Sequence, residues 1–258
     1  MLELDWTMLS TYWRCPKEYH LFAMKNLQGS PSLALEMGSD YHDHTEWLYG
    51  EADEFNKFIQ RIQTQDPVGL LLDEYFDSYY TPDLERFSEI KAEGKLSVKV
   101  SNNRTYSACC DLSVYDASQK LWYIVEHKTS GRNMNTLQAE HYATSEGQVS
   151  GQLMIGMEKW GPDFGGVLLR HANIPKTNIF ELHIIPNQDR VDSFKENVID
   201  TMRDMEHTMS MSLNQKRVSG CIRFFSKCPY YDVCHNMSST DSYRQDQQWK
   251  AGEKWIDI

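Results

Sequence analysis

The segment LWYIVEHKTS (121–130) follows an apolar run with two charged side chains, Glu126 and Lys128. Side chains on a β-strand alternate between its two faces, so Glu126 and Lys128 share one face and His127 lies on the other. A carboxylate at the end of a core strand can bind a divalent cation, and a neighbouring ammonium can orient a water molecule beside it. The alternative interpretation is an exposed ion pair at a fraying strand end.

A second carboxylate, Asp111, is expected to lie beside Glu126. The segment 116–120 (DASQK) has the composition of a turn, so the strands predicted over 105–115 and 121–128 should form an antiparallel hairpin. A hairpin symmetric about this turn places Asp111 opposite Glu126, with Cα atoms roughly 4.5–5.5 Å apart. Two carboxylates about 4 Å apart repel by about 4 kcal/mol at an effective dielectric constant of about 20. A bound Mg²⁺ would remove this repulsion.

The pattern of apolar residues predicts an α/β fold with a mixed central sheet flanked by helices. No internal repeat or linker divides the sequence, so one domain is expected over 1–258. The predicted helices cover 7–25, 33–50, two segments after Phe55 that break near Asp66 and Pro67, 141–160 and 188–212. The predicted strands cover 95–100, 105–115, 121–128, 165–174 and 179–186.

The composition is that of a globular protein, with 40% hydrophobic and 24% charged residues. No apolar run approaches the roughly 20 residues of a membrane-spanning helix, and the N-terminus lacks the pattern of a secretion signal. We therefore expect a cytoplasmic protein that does not enter the membrane. The formal net charge of −11 argues against non-specific adhesion to nucleic acids or anionic membranes, although a locally basic groove is compatible with it.

Six cysteines in a chain expected to be cytoplasmic favour metal binding or redox chemistry over disulfides. Cys109 and Cys110 lie within a predicted strand and are expected to be small core residues. The other four lie near the two ends of the chain and could hold an iron–sulfur cluster or a structural Zn²⁺, or remain unligated: Cys15, Cys221, Cys228 and Cys234.

A metal held by these four cysteines would clasp the two ends of the chain together. Closing the long loop from Cys15 to Cys221 costs only about 2.4 kcal/mol more than closing the span 221–234. Metal–thiolate binding, on the order of 10 kcal/mol, exceeds that cost. This interpretation divides the sequence into the clasp (7–25 and 213–236), a core (about 33–212) and a polar tail (237–258).

The spacing D-x14-E-x-K, formed by Asp111, Glu126 and Lys128, resembles the catalytic signature of the PD-(D/E)XK nuclease superfamily. Cys110 stands where the superfamily name has proline. The resemblance implies a restriction-endonuclease-like core and hydrolysis of phosphodiester bonds with Mg²⁺ or Mn²⁺. It also implies that Lys128 helps to position the attacking water.

The segment MGSDYHDHTEW resembles the G-x-x-x-H helix of the RecB-like exonuclease branch of this superfamily, with Gly38 and His42 at the matching positions. The resemblance implies that His42 binds the metal together with Asp111 and Glu126. An imidazole ligand favours Mn²⁺ alongside Mg²⁺. Two other histidines lie on other faces of their elements and are expected to be outside the site: His44 and His127.

The segment SEGQVSGQLMIGMEKWG resembles the Q-x-x-x-Y helix of the same branch. Gln148 occupies the first position of that motif, and the resemblance implies that its side chain helps to hold the active site and the DNA. Gln152 stands where tyrosine is usual, so the resemblance assigns it no role.

The layout of one N-terminal and three C-terminal cysteines resembles the iron–sulfur subset of RecB-like nucleases, which includes CRISPR-adaptation nucleases and phage exonucleases. That subset commonly has C-x2-C-x5-C at the C-terminal end, and Phe225 stands in place of one of those cysteines. Cys221 is then the substitute ligand. The resemblance implies a [4Fe–4S] cluster, with Zn²⁺ as the alternative.

These features together lead us to expect a metal-dependent DNA exonuclease that acts on single-stranded or frayed DNA ends in recombination, repair or phage DNA processing. The sequence contains no G-x-x-x-x-G-K-[ST] phosphate loop, so unwinding would require a helicase, annealing or recombination protein as partner. The expected location is the cytoplasm of a bacterial or phage-infected cell. The alternatives are a non-catalytic DNA-binding or assembly module on a nuclease scaffold, and a zinc-clasped structural protein.

Overall fold

The computed structural model describes residues 2–25, 27–28, 32–50, 52–210, 221–223, 226–235 and 244–245. Its helices are α1 (Trp6–Arg14), α2 (Pro16–Tyr19), α3 (Leu33–Leu48), α4 (Ala52–Ile62), α5 (Pro67–Tyr75), α6 (Thr81–Arg86), α7 (Thr136–Ser145), α8 (Gly147–Trp160), α9 (Gln188–Ser210) and α10 (Tyr231–Cys234). Its strands are β1 (Leu2–Leu4), β2 (Leu27–Gln28), β3 (Glu89–Ser101), β4 (Arg104–Asp116), β5 (Leu121–Ser130), β6 (Phe164–Asn173), β7 (Asn178–Ile184), β8 (Ile222–Arg223), β9 (Ser226–Lys227) and β10 (Arg244–Gln245). The predicted polar tail lies outside the described residues except at 244–245.

The chain forms two compact units. The terminal unit consists of Met1–Ser30, Lys99–Ser107 and Ser193–Ile258, and the central unit consists of Pro31–Val98 and Ala108–Asp192. The expectation of one domain over 1–258 stays a prediction. All residues of the predicted active site belong to the central unit, and the four end cysteines belong to the terminal unit.

The central unit is built on a mixed sheet with the strand order β3-β4-β5-β6-β7. The pairs β4–β5 and β6–β7 are antiparallel, whereas β5–β6 is parallel. A parallel pair requires a crossover connection, and α7 and α8 form it. The predicted α/β fold with a mixed sheet is therefore confirmed.

Helices cover both faces of this sheet. The face that carries Val125 and His127 packs against α3 and α5, where Tyr75 contacts the His127 ring. The opposite face, which carries Glu126, packs against α8. The buried residues between the sheet and α3, α4 and α5 include Tyr41, Leu48, Phe58, Leu71, Leu72, Tyr75 and Ala172.

The predicted hairpin register is confirmed. The Cα pairs run from Leu112 opposite Val125 to Asp116 opposite Leu121, so the numbers of facing residues sum to 237. The Asp116 carboxylate also closes the turn by accepting a hydrogen bond from the main-chain N–H of Ser118 at 3.0 Å. An aspartate side chain that binds the backbone two residues on is typical of such turns.

The helix predicted over 141–160 is two helices. The first begins earlier than predicted because Asn135 caps it. The Asn135 side chain accepts a hydrogen bond from the N–H of Gln138, and the Gln138 side chain accepts one from the N–H of Asn135. The helices are separated at Glu146, whose backbone is extended. The break allows the axis of α8 to differ from that of α7.

The terminal unit joins the N-terminal helices to α9. The Tyr12 hydroxyl donates to Asp204 at 2.8 Å, and the Trp13 indole N–H donates to Thr201 at 2.6 Å. The helix predicted over 7–25 is interrupted at Cys15, whose backbone is extended because a proline follows it. Cys15 therefore lies at the junction of two helices.

The two cysteines predicted to be core residues of a strand have different environments. Cys110 is buried as expected, whereas Cys109 is exposed, so its assignment to the core was wrong. The two residues are neighbours on one strand, and alternation places them on opposite faces.

Among the described residues, no helix is long and apolar enough to span a membrane.

Candidate active site

The Asp111 carboxylate lies where the β4–β5 ladder ends. The last Cα pair is Leu112 opposite Val125, and the same register continued by one step places Asp111 opposite Glu126. At that step the Asp111 side chain replaces the main chain as hydrogen-bond acceptor, because its Oδ2 accepts from the N–H of His127 at 2.6 Å. This bond holds the carboxylate at the edge of the ladder.

Two imidazoles face this carboxylate. The Nδ1 of His127 lies 3.3 Å from Asp111 Oδ2, and the Nδ1 of His42 lies 3.8 Å from Asp111 Oδ1. The three potential ligand atoms lie within 4.8 Å of one another, and no other group of three such residues does so in the part of the chain that the structure describes. Asp111, His42 and His127 therefore form a possible metal-binding triad.

The placement of His127 corrects the expectation that it lies outside the site. Alternation correctly put His127 and Glu126 on opposite faces of β5. The carboxylate of Asp111, however, bonds to the main-chain N–H of His127 at the ladder end, and from there it also reaches the imidazole. His44 is different, since its Nδ1 contacts the carbonyl oxygen and carboxylate of Asp40.

Gly38 explains how α3 brings His42 to the sheet. A Cβ atom at position 38 would lie only 2.9 Å from the Oγ1 of Thr129 on β5, so the glycine permits a close approach of helix and strand. His42 follows Gly38 by four residues, about one helical turn, and therefore lies on the same face of α3. The spacing of the G-x-x-x-H segment thus has a packing reason.

The other face of β5 holds the remaining predicted residues together. The Lys128 ammonium lies 2.8 Å from Glu126 Oε1, and it donates to Gln148 Oε1 at 2.6 Å. The Gln148 amide nitrogen donates to Glu126 Oε1 at 2.6 Å. The Gln152 amide nitrogen donates to Glu126 Oε2. The glutamine that stands in place of the usual tyrosine therefore also contacts the site.

The ligand set that was expected and the compact triad differ in one member. Glu126 is buried and receives three hydrogen-bond donors, and it is not part of the triad found among the described residues. His127 takes the third position instead. Coordination of the ion by Glu126 together with Asp111 and His42 stays a prediction.

Burial and charge shift the pKa values on both sides of the strand. Burial raises the pKa of Glu126 to about 6, and Lys128 opposes this rise. Burial lowers the pKa of the Lys128 ammonium, but the Glu126 carboxylate raises it more, so the net shift is upward. At neutral pH the pair is therefore an ammonium next to a carboxylate.

The Asp111 carboxylate of the triad is stabilised by positive charge on its neighbours. Burial raises the pKa of the Asp111 carboxyl, but His42 and His127 lower it more, so it lies well below its usual value. Burial lowers the pKa of His42, and Asp111 raises it above the usual value. A cation, whether a proton on imidazole or a divalent metal, satisfies this carboxylate. One carboxylate and two imidazoles are suitable donors for a transition metal.

The end cysteines come together in the terminal unit. The N–H of Cys228 donates to the carbonyl oxygen of Cys221 at 2.8 Å. Burial raises the pKa of the Cys228 thiol to about 11, and Cys15 and Cys234 are near enough to contribute to that rise. The sulfur atoms are more widely spaced than the triad, since no three of them lie within 4.8 Å of one another in the described residues. Thiols are suitable ligands for a thiophilic metal or cluster.

Comparison with known proteins shows the fold. No protein-family model matches the sequence, and no curated protein matches it significantly. The chain is similar to the crystal structure of a protein from Eubacterium rectale that is provisionally named an exonuclease. The TM-score is 0.56 at 12% identity, over 92% of this chain and 88% of that chain. The protein SSO0001 aligns at 14% identity over 78% of this chain and 75% of that chain, with a TM-score of 0.39 that is too low to support an argument.

These findings define the class of fold. The mixed sheet with helices on both faces is consistent with the predicted restriction-endonuclease-like core. At 12% identity the similarity to the Eubacterium rectale protein concerns the fold alone.

Proposed function

We propose that this chain is a metal-dependent deoxyribonuclease of the PD-(D/E)XK superfamily, in its RecB-like branch, that hydrolyses phosphodiester bonds at DNA ends. The observation that carries the proposal is the meeting of Asp111, His42 and His127 within 4.8 Å at the end of β5. On the same strand the buried Glu126 and the half-buried Lys128 form an ion pair 2.8 Å apart. The similarity in fold to a protein provisionally named an exonuclease adds support.

The side chains of the site have distinct tasks in this proposal. Asp111, His42 and His127 would hold a divalent cation, which when bound polarises the phosphate and lowers the pKa of a water molecule. Lys128 would orient the attacking water and stabilise negative charge that develops on the phosphate. Glu126 holds the Lys128 ammonium in place. As the resemblance implies, one of its carboxylate oxygens would also bind the cation.

The donor set favours Mn²⁺ over Mg²⁺. Mg²⁺ prefers oxygen ligands, whereas imidazole nitrogen is a good ligand for first-row transition metals. With His127 in the triad, two of the three nearest donors are nitrogens. Mn²⁺ accepts both donor types, and we propose it as the preferred ion.

The proposed substrate is single-stranded DNA or a frayed end. Tyr142 on α7 is 44% exposed, and its hydroxyl donates to Glu146 at 2.9 Å. Burial and the Glu146 carboxylate raise the pKa of the Tyr142 phenol, and the Lys128 ammonium opposes the rise. An exposed aromatic ring can stack on any unpaired base.

Unwinding would come from a helicase, annealing or recombination protein, and a cytoplasmic location is part of the same proposal.

We also propose a [4Fe–4S] cluster on Cys15, Cys221, Cys228 and Cys234. The chemistry of the donors supports it, since thiolates select iron–sulfur clusters as well as Zn²⁺, and all four cysteines belong to the terminal unit. In this proposal the cluster clasps the N-terminal and C-terminal parts of the terminal unit. A zinc-clasped structural protein is the alternative, and metal and sulfide analysis of protein purified without air separates the two.

The nuclease proposal is tested with end-labelled single-stranded and double-stranded DNA in Mg²⁺, Mn²⁺ or EDTA. We expect cleavage of single strands with Mn²⁺, none with EDTA, and a loss of at least about 100-fold in Lys128→Ala. Lys159→Ala is a matched control, because Lys159 is an exposed lysine of the same unit. DNA binding by the wild-type protein without cleavage in any metal would favour the non-catalytic module instead.

A further inference from the structure

A fully buried arginine lies behind the triad. Arg170 on β6 is only 1% exposed, and its guanidinium binds the Asp83 carboxylate through two bonds, from Nη1 at 2.6 Å and from Nη2 at 2.7 Å. Its Nε donates to Glu181 at 2.9 Å. Bidentate pairing and burial fix the position of the guanidinium. We define the Arg170 network as these three residues together with two tyrosines: Asp83, Arg170, Glu181, Tyr49 and Tyr75.

The network ends on His127. Arg170 Nη1 also donates to the Tyr75 hydroxyl at 2.7 Å, and this hydroxyl lies 2.8 Å from the Nε2 of His127. The same hydroxyl lies 3.1 Å from the Tyr49 hydroxyl, which donates to Asp83 at 2.7 Å. A continuous hydrogen-bonded path thus runs from Arg170 to the imidazole that faces Asp111.

The available hydrogens suggest which nitrogen of His127 is protonated. Tyr49 gives its hydrogen to Asp83, so its oxygen can only accept, and the Tyr75 hydrogen can satisfy it. The Tyr75 oxygen then accepts from Arg170 and from the Nε2–H of His127. This assignment places one hydrogen in every contact of the two hydroxyls, whereas a Tyr75 hydroxyl that donated to His127 would leave the 3.1 Å contact with Tyr49 without one. It leaves a bare lone pair on His127 Nδ1, 3.3 Å from an oxygen of Asp111.

Two lone pairs that face each other repel, and a cation bound by both atoms would remove the repulsion. We propose that the Arg170 network sets the tautomer of His127, so that His127 Nδ1 is a third ligand of the divalent cation beside Asp111 and His42. The proposal deepens the metal centre described above and rests on it. Tyr75 and Arg170 are positioning residues in this scheme, since they act on the ion only through His127. Such outer partners of a ligand typically change metal affinity by about 10- to 100-fold.

The test is Mn²⁺ binding to the full chain, measured by titration calorimetry, for Tyr75→Phe and the matched control Tyr41→Phe. Tyr41 is an equally buried tyrosine whose ring contacts those of His42, Tyr75 and His127, and its hydroxyl has no hydrogen-bond partner among the described residues. We expect Mn²⁺ affinity to fall about 10- to 100-fold in Tyr75→Phe and to change less than about twofold in Tyr41→Phe.

A double-mutant cycle distinguishes positioning from general destabilisation. In a His127→Ala background, Tyr75→Phe should cause no further loss of Mn²⁺ affinity. The proposal would be overturned if Tyr75→Phe lowered Mn²⁺ affinity equally in both backgrounds, or if Tyr75→Phe and Tyr41→Phe lowered it equally. It would also be overturned if the wild type did not bind Mn²⁺, or if nitrogen NMR showed a proton on Nδ1 of His127. Tyr75-dependent Mn²⁺ binding without DNA cleavage would leave the network in place and refute only the nuclease function.

Discussion

The side-chain amide of Gln148 bridges Glu126 and Lys128. Its oxygen accepts from the Lys128 ammonium at 2.6 Å and its nitrogen donates to Glu126 Oε1 at 2.6 Å. An ammonium can only donate and a carboxylate can only accept, so the orientation of the amide is determined by its neighbours. The helix α8 therefore fixes the geometry of the ion pair on β5.

Gln148→Ala should lower cleavage about 10- to 100-fold, because the ammonium and the carboxylate each lose a partner that orients them. The measurement is the rate of cleavage of labelled single strands at saturating Mn²⁺. Gln60→Ala is the control, since Gln60 is an exposed glutamine of the same unit. A Gln148→Ala enzyme as fast as the control would contradict the bridging role.

The stability of the metal-free protein should depend on Glu126 between about pH 4.5 and 6. Burial raises the pKa of this carboxyl from 4.5 to about 6, so the folded state holds its proton in that range and the unfolded state does not. The contribution of Glu126 to stability is therefore full below pH 4.5 and is lost as the pH rises through 6. The loss corresponds to about 2 kcal/mol.

Urea unfolding in EDTA measures this effect. Between about pH 4 and 7 the wild type should lose about 2 kcal/mol relative to Glu126→Gln, which has no proton to release at this position. The difference between the two proteins isolates Glu126 from the other groups that titrate over the same range. Parallel stability profiles would show that the carboxyl titrates normally.

Gly38→Ala should weaken Mn²⁺ binding by moving α3, and His42 with it, away from β5. The new Cβ would meet Thr129 Oγ1 at 2.9 Å. The double variant Gly38→Ala/Thr129→Ala lacks that oxygen and should recover affinity. Gly94→Ala is the control, because nothing lies within 4 Å of a Cβ at that position. Failure of the second substitution to restore Mn²⁺ binding would refute this explanation of the glycine.

Cys228→Ser should remove most of the iron and sulfide from protein purified without air and lower the midpoint of thermal unfolding, because metal–thiolate binding stabilises the fold. Cys109→Ser is the matched control, since this exposed cysteine belongs to the central unit. Wild-type protein that contains zinc and no sulfide would identify a zinc clasp.

Tyr142→Ala should raise KM for single-stranded DNA about tenfold or more, since stacking on one base is worth about 1–3 kcal/mol. Tyr142→Phe keeps the ring and loses only the bond to Glu146, so its KM should stay near the wild-type value. If both variants raise KM by the same factor, the hydroxyl and not the ring is the important group, and an unchanged KM in Tyr142→Ala would contradict stacking on this ring.

The hairpin register from Leu112 to Asp116 could be predicted because the composition of the turn locates the centre of the hairpin. The position of Gln148 and Gln152 on one helix face follows from their spacing of four residues. Both glutamines contact Glu126 in the structure. Local rules were sufficient wherever regular secondary structure sets the direction of a side chain.

The role of His127 could not be predicted from the same rules. Alternation assumes that side chains project from the faces of a sheet, and it does not describe a carboxylate that takes over a main-chain hydrogen bond at a ladder end. The Arg170 network depends on hydrogen bonds between residues up to 95 positions apart in the sequence, such as the bond from Arg170 to Tyr75. Only the packing of α5 and α6 against the sheet brings them together.

The bond from the His127 N–H to Asp111 Oδ2 makes one oxygen common to strand pairing and to the proposed ion site. Binding of the ion would draw electron density from that oxygen and so change the strength of its hydrogen bond from the His127 N–H. The rate at which this N–H exchanges with solvent would change as a result. Hydrogen–deuterium exchange at a single amide would then report occupancy of the centre, without any substrate present.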